Sequence, residues 1–292
     1  MPQKSKNKVS LILVSKNEEK NVKRFFNSLK KQSRKPDEIV LIDSSKDRTA
    51  EISKPFVDKL IKTPTNCAGH ARSIGIKHSK GDIIVFTDID VVPYPNWLEE
   101  ITKCFENPDI NVVQGQVFMK SYSGKNDKWL FSTGLREWGN RLCHCNTAYR
   151  RKVLEEIPFD PEQFWDDVEM SYRVSKKYKI YGCKAAKIYH YGAVVKSRTG
   201  NKSLKEFWDH MVFYSVGWIR ILKKYKGSEK IYWFLRMGFN VFGILREGTT
   251  GLKVFSYYIL TLPYAWYLET FKKGTRYYSK TEKIQKIVRK EK

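Results

Sequence analysis

Long apolar runs are missing from this chain. No stretch reaches the roughly 18 uninterrupted apolar residues of a membrane-spanning helix. No secretory signal opens the sequence, and its five cysteines (Cys67, Cys104, Cys143, Cys145 and Cys183) contain no C-x-x-C pair. An odd count without paired spacing predicts reduced thiols in a cytosolic setting. Cys143-His144-Cys145 lacks the spacing and the second pair of a structural zinc site. There is also no Gly-rich phosphate loop and no nucleic-acid-binding motif. Acidic residues are in deficit, with 31 Asp and Glu against 55 Lys and Arg, so the net charge is +24. That excess favours anionic partners such as nucleic acid, an anionic membrane face or phosphorylated substrates.

What is present is a repeated strand–helix pattern. Val9 to Val14 (VSLILV) and Glu38 to Asp43 (EIVLID) read as buried strands, and Val57 to Ile61 as a third. Between the first two, Val22, Phe25, Phe26 and Leu29 recur at i, i+3, i+4, i+7 and predict a helix with one apolar face. Ser15 with Glu18 fits a capping box, and Asn17 is a rival cap. Asp47 to Phe56 predicts a short helix, and Asn66 to Lys80 reads as a loop and helix carrying Arg72 near its start. Strands alternating with helices over the first 90 residues define an α/β chain with a mainly parallel sheet. Asn96 caps a helix whose inner face holds Trp97, Leu98, Ile101 and Phe105, and Asn111 to Met119 is another strand candidate. Tyr122 to Arg141 reads as loop-rich.

The stretch Gly81 to Asp90 (GDIIVFTDID) carries the chemistry. Ile83 to Phe86 is an apolar strand block that ends in Asp88-Ile89-Asp90, where ligands bind in open α/β sheets. On extended backbone, Asp88 and Asp90 point to the same side. Two adjacent carboxylates repel unless a cation or donors offset them, and Mg²⁺ shared with a diphosphate is their natural partner. A second acidic pair, Asp166-Asp167, opens a helix whose dipole stabilises it, with Val168, Tyr172 and Ser175 as a face behind it. Lys187 to Val195 reads as a strand containing His190, either a core histidine or a ligand.

Taken in order, VSLILVSKNEEKNV, DEIVLIDSSKDRTAEI, GHARSIGIKHSKGDIIVFTDIDVVPYPNWLE, NTAYRRKVLEEIPFD and FWDDVEMSYRVSKKYKIYGCKAAKIYH resemble the inverting family 2 glycosyltransferases over about 180 residues. The resemblance implies a GT-A fold in residues 1–200, a Rossmann-like sheet flanked by helices. It also implies transfer of a sugar from a nucleotide-diphosphate donor to a hydroxyl of a glycan or lipid-linked acceptor, with a divalent cation (Mn²⁺ or Mg²⁺). By that resemblance Asn17, Asp43, Arg72 and Asp88 bind the donor, while Asp90 and His190 hold the metal. Asp167 is the general base, and Asp166 and Arg173 lie on the acceptor side. Ser44 stands where the family usually has Gly, Ser73 where it has Asn, and Asp166 where Glu is commoner.

Residues 201–292 form an aromatic-rich, basic, helical region. Ile231 to Leu245 is apolar apart from Arg236 and Asn240, Val254 to Leu268 carries no charge but holds Pro263 near its middle, and Lys and Arg flank both. That composition suits helices lying in a bilayer interface, and the basic tail suits an anionic cytoplasmic leaflet. The expected location is cytoplasmic, peripheral at the inner face of the cell membrane, with a polyprenyl-linked acceptor and no nucleic-acid partner. The alternatives are a basic nucleic-acid-binding protein and a non-catalytic membrane-surface protein.

Overall fold

The computed structural model describes residues 7–65, 67–119, 138–139, 142–161, 163, 165–191, 204–245 and 249–271. Two compact units emerge, residues 1–162 with 166–192, and residues 163–165 with 193–292.

The first unit is built on one sheet. Its parallel half comprises β1 (Val9–Ser15), β2 (Glu38–Asp43), β3 (Lys59–Lys62) and β4 (Ile83–Asp88) in the order β3-β2-β1-β4. Ile83 to Phe86 are each at most 1% exposed, as a strand covered on both faces requires. The chain winds outward from β1 to β3, then returns past β1 to β4. That reversal opens a crevice at the carboxyl ends of β1 and β4, where the register sets Val14 opposite Asp88 and Ser15 opposite Asp43.

Helices cover the parallel half. In α1 (Glu19–Lys30) the buried side chains are the expected Val22, Phe25, Phe26 and Leu29. Its N-terminus is not capped by Ser15 or Asn17, contrary to the capping-box reading. Thr49 Oγ1 accepts from the Glu18 N–H (2.7 Å) and Asp47 Oδ2 from the Glu19 N–H (3.3 Å). Those caps come from the start of α2 (Thr49–Ser53), a partner that local spacing cannot reveal. In α3 (Ala68–His78), a Cβ on Gly75 would lie 2.4 Å from Ile12 Cγ2. The missing side chain lets α3 press onto β1 and carries Arg72, one turn earlier on the same face, over the strand ends.

The antiparallel half adds β5 (Val91–Pro93), β6 (Val112–Met119), β7 (Trp138–Gly139), β8 (Asn146–Arg150) and β9 (Ile180–His190). β8 runs antiparallel between β4 and β6, and β9 lies parallel to β6 and antiparallel to β5 and β7. The short polar sequence NTAYR carries no strand signal of its own, yet it is central. Asn146 Nδ2 donates to the Gln116 and Ala186 carbonyls and Oδ1 accepts from Trp97 Nε1. A Cβ on Gly115 would sit 2.4 Å from that amide, so the glycine admits it where the β6–β9 register shifts. β9 begins at Ile180, not Lys187, and residues 192–195 of the expected strand lie outside the described residues, as does the loop-rich stretch apart from β7.

The remaining helices of this unit are α4 (Trp97–Lys103), α5 (Arg151–Glu156) and α6 (Asp166–Ser175). Trp97, Leu98 and Ile101 are fully buried, as expected. In α6 the buried apolar residues are Met170 and Val174, not Val168, Tyr172 and Ser175. Burial of Asp166 at its first turn sets that face, since positions four and eight later follow it round the helix.

The second unit is helical, with α7 (Leu204–Lys224), α8 (Gly227–Leu245) and α9 (Thr249–Phe271). Val212, Val216, Ala265 and Leu268 make one core cluster, and the Ser215 and Thr261 hydroxyls pair inside it at 2.8 Å. Arg220 Nε meets Glu269 Oε2 at 3.2 Å, and Trp218 packs between Trp165 and Trp233. α9 runs through Pro263 as one helix. Among the described residues, no helix is long and apolar enough to cross a membrane.

Candidate active site

The carboxyl ends of β1, β2 and β4 supply the first part of the site. Asn17 adopts φ 60°, the left-handed conformation that asparagine tolerates better than most residues. Its N–H donates to Ser45 Oγ (2.8 Å) and its Oδ1 accepts from the Lys46 N–H (2.9 Å), so it ties the β1 and β2 loops together. Asp43 is buried, with Oδ1 accepting from the hydroxyls of Ser15 and Ser45, each at 2.6 Å. Ser15 therefore orients a carboxylate.

β4 ends at Asp88 and the chain turns at Ile89 and Asp90, so the extended i, i+2 geometry expected of the two aspartates does not hold. β5 then pairs with β9 and sets Val91 opposite His190. The Tyr191 N–H donates to the Asp90 carbonyl (2.8 Å), and His190 Nε2 stands 3.6 Å from Asp90 Oδ1. One carboxylate oxygen of Asp88, one ring nitrogen of His190 and Cys145 Sγ lie within 4.8 Å of one another. Asp90 Oδ1 is buried without a hydrogen-bond donor among the described residues. An unsatisfied buried oxygen is costly, and a divalent cation beside it would satisfy that oxygen. The donor set therefore fits a metal.

Charge in the crevice is concentrated. Burial pushes the Asp88 carboxyl up to about 6; Arg72 opposes the rise and Asp90 adds to it. Burial likewise pushes Glu18 up to about 7, against its hydrogen bond from Asn21, with Asp90 and Asp88 raising it further. The capping-box pattern around Glu18 conceals that this side chain feels the same crevice.

Arg72 joins this group to the second acidic pair. Its Nη1 donates to Asp166 Oδ2 and its Nη2 reaches Asp88 Oδ1 at 3.5 Å. Burial works against the guanidinium charge, but Asp166, Asp88 and Asp167 outweigh it and hold the arginine charged. For Asp166 burial raises the carboxyl, and Arg72 and His144 more than reverse the rise. Asp166 is thus a buried clasp, only 9% exposed at its side chain, whereas Asp167 beside it is 40% exposed. Arg173 forks onto Glu169 (2.7 and 2.9 Å) and donates to the Pro158 carbonyl, bracing the helix that presents Asp167.

His144 is the residue that sequence reasoning missed. Nδ1 lies 2.5 Å from Asp167 Oδ1 and Nε2 lies 2.9 Å from the Tyr149 hydroxyl, and the side chain is fully buried. Phe86 and Phe159 enclose the ring. Burial disfavours the imidazolium, but Asp167 and Asp166 reverse this and raise its pKa. A histidine held on both nitrogens fixes one oxygen of its partner carboxylate, while the Asp167 side chain stays 40% exposed.

A sheet that reverses at β1/β4, with carboxylates and a histidine at the reversal, places the chain among the open α/β folds whose ligand crevice lies at the switch point. Comparison with known proteins narrows the class. Residues 10–158 match the family described as Glycosyl transferase family 2. An uncharacterized glycosyltransferase of Nostoc sp. is 27% identical over 183 residues, covering 55% of this chain and 57% of the relative. The glycosyltransferase AglE of Haloferax volcanii is 30% identical over 118 residues, 37% of this chain and 39% of its own. This chain thus spans about half or less of these relatives' lengths. Among solved structures, the mannosyltransferase PcManGT from Pyrobaculum calidifontis, in complex with GDP-Man and Mn²⁺, has a TM-score of 0.59 at 17% identity. That match covers 96% of this chain and 83% of that one. TarS 1-349 of S. aureus in complex with UDP has a TM-score of 0.53 at 20% identity, over 73% and 65%. These likenesses show the GT-A fold. The chain belongs to glycosyl transferase family 2.

Proposed function

We propose that this protein is an inverting glycosyltransferase that moves a sugar from a nucleotide-diphosphate donor to an acceptor hydroxyl, with Asp167 as general base. The observation that carries this reading is the placement of an open carboxylate, Asp167, fixed by His144, beside a cation-fitting group at the sheet's switch point. UDP, UDP-GlcNAc and GDP-Man with Mn²⁺ occupy the structural neighbours, which supports a nucleotide-sugar donor here.

Asn17 and Asp43 shape the pocket for the nucleoside, and Arg72 sets Asp88 against it. Asp90 and His190 would hold Mn²⁺ or Mg²⁺, which would supply Lewis acidity to the departing diphosphate. Asp167 takes the proton of the acceptor hydroxyl as its oxygen attacks the anomeric carbon from the face opposite the diphosphate. His144 keeps the Asp167 carboxylate aimed, and Asp166 and Arg173 hold the helix start and its brace on the acceptor side. One displacement inverts the anomeric centre.

The acceptor is a glycan or a lipid-linked sugar, and the second unit rests on an anionic membrane surface. Ile231, Phe234, Leu235, Ile259, Leu260 and Trp266 are each at least 50% exposed, on helices flanked by basic residues. Such faces bury in the headgroup region while Lys and Arg meet anionic lipid. Co-sedimentation with vesicles containing anionic lipid, reduced in Phe234→Ser/Leu235→Ser and by high salt, checks the surface; equal binding to neutral vesicles contradicts it. The reaction is tested with Asp167→Asn, which should bind donor yet fail to turn it over, and with the anomeric configuration of the wild-type product by NMR. Retention of configuration would overturn the reading.

A further inference from the structure

We propose that Cys145 makes the cation site at Asp88, Asp90 and His190 a thiolate-bearing one that also takes a thiophilic divalent ion, Zn²⁺ above all. This rests on the reading that Asp90 and His190 hold the donor's cation. The chain order conceals the arrangement, since these residues come from β4, the turn after it, the turn before β8 and the end of β9. Three lines of geometry bring them together. Cys145 Sγ, an Asp88 oxygen and a His190 ring nitrogen lie within 4.8 Å of one another. Asp90 Oδ1, buried and without a donor among the described residues, stands 3.6 Å from His190 Nε2. Thr87 Oγ1 donates to the Cys145 carbonyl at 2.8 Å, pinning the cysteine beside the last residues of β4.

Tetrahedral ligands at zinc distances stand roughly 3.3–3.8 Å apart. The spacing of Asp88, His190 and Cys145 is therefore one side-chain adjustment away from a three-ligand site, and Asp90, 3.6 Å from His190, is the candidate fourth ligand. A carboxylate, an imidazole and a thiolate form a mixed O, N and S set. Hard Mn²⁺ or Mg²⁺ uses the oxygens, whereas Zn²⁺ and Co²⁺ gain from the sulfur. Cys145 is 4% exposed and its Sγ lies 3.3 Å from Cys143 Sγ. Metal binding breaks its S–H bond as the S–metal bond forms, and the proton leaves to the buffer. Zinc would then occupy the place of the catalytic cation and act as a competing inhibitor.

The test uses Co²⁺ as a spectroscopic stand-in for zinc on the full chain. Cys104 and Cys183 are changed to Ser in the background, because both thiols donate to the Glu100 carbonyl and form a second thiol pair. A near-ultraviolet thiolate-to-cobalt band should appear at one equivalent, vanish on adding Zn²⁺, persist in Cys143→Ser and be absent in Cys145→Ser. Zinc-edge absorption on the same background, with Cys145 intact, should show one sulfur at about 2.3 Å. That reading needs no Cys145 variant to fold. No thiolate band, a band that survives Cys145→Ser, or a shell of only oxygen and nitrogen overturns the inference. Mn²⁺-dependent nucleotide binding, measured in parallel, separates the two claims. If it persists while the band is missing, only the thiolate inference fails; if it too is missing, both fail.

Discussion

Replacing Arg72 with Met should destabilise the protein more than any other single change at the site. The guanidinium is buried and shared between Asp166 and Asp88. Its removal leaves Asp166, only 9% exposed at its side chain, with His144 Nδ1 at 3.5 Å as its remaining cationic partner among the described residues. Breaking a buried pair by deleting one partner costs about 3–5 kcal/mol, much of it the uncompensated charge left behind. At about 2–4 °C per kcal/mol for a chain of this size class, the melting temperature should fall by about 6–20 °C. The pH dependence identifies the cause. In the wild type Asp166 titrates below its ordinary value, so its contribution is present above the unfolded value near about 4 and is lost on acidification through the folded one. Without Arg72, burial is opposed by His144 alone among the described residues, and the carboxyl should titrate higher than in the wild type. The variant's deficit should therefore be largest at pH 8 and shrink as the pH falls toward 5. Differential scanning calorimetry of wild type, Arg72→Met, Asp166→Asn and the double variant measures the coupling, which should exceed about 1.5 kcal/mol. Additive losses, or a deficit that does not change with pH, would refute the clasp.

Other expected outcomes follow from the same geometry. Asp167→Asn should reduce kcat by about 10²–10⁴-fold, the usual worth of a positioned general base, while donor affinity by calorimetry stays within a few-fold. His144→Phe retains the packing against Phe86 and Phe159 but removes both ring hydrogen bonds; kcat should fall on the order of 10–100-fold with KM for donor unchanged. A rise in donor KM of the same size would place His144 in binding. Gly75→Ala forces a methyl against Ile12 and should cost about 1–3 kcal/mol by thermal melting. Because Asp88 and Glu18 titrate at about 6 and about 7, protons compete with the cation below these values. Mn²⁺ affinity should accordingly climb between pH 5 and 7 and level off above.

Much of the fold is legible in the chain because buried strands announce themselves. VSLILV, EIVLID and DIIVFTD are each too apolar to be anything but covered sheet, and the polar residues that end them mark the crevice. The α1 face is equally plain from Val22, Phe25, Phe26 and Leu29. Asn146–Arg150 is not, because a strand whose polar groups satisfy its neighbours' backbone has no apolar alternation to read. Tertiary hydrogen bonds hide the rest. Ser15 pairs with Asp43 instead of capping a helix, and His144 meets Asp167 across 23 residues with no periodicity linking them. Cys143-His144-Cys145 is inert by spacing, yet its histidine braces the proposed base and its last cysteine borders the cation-fitting group.

Calorimetric titration of UDP, GDP, dTDP and CDP, with Mn²⁺ or Mg²⁺ and then with chelator, on wild type and Asp90→Ala, tests the central claim most directly. One nucleotide should bind tightly only with the cation, and that binding should vanish in Asp90→Ala. No binding of any nucleotide, or binding that survives both chelator and the substitution, would contradict the account.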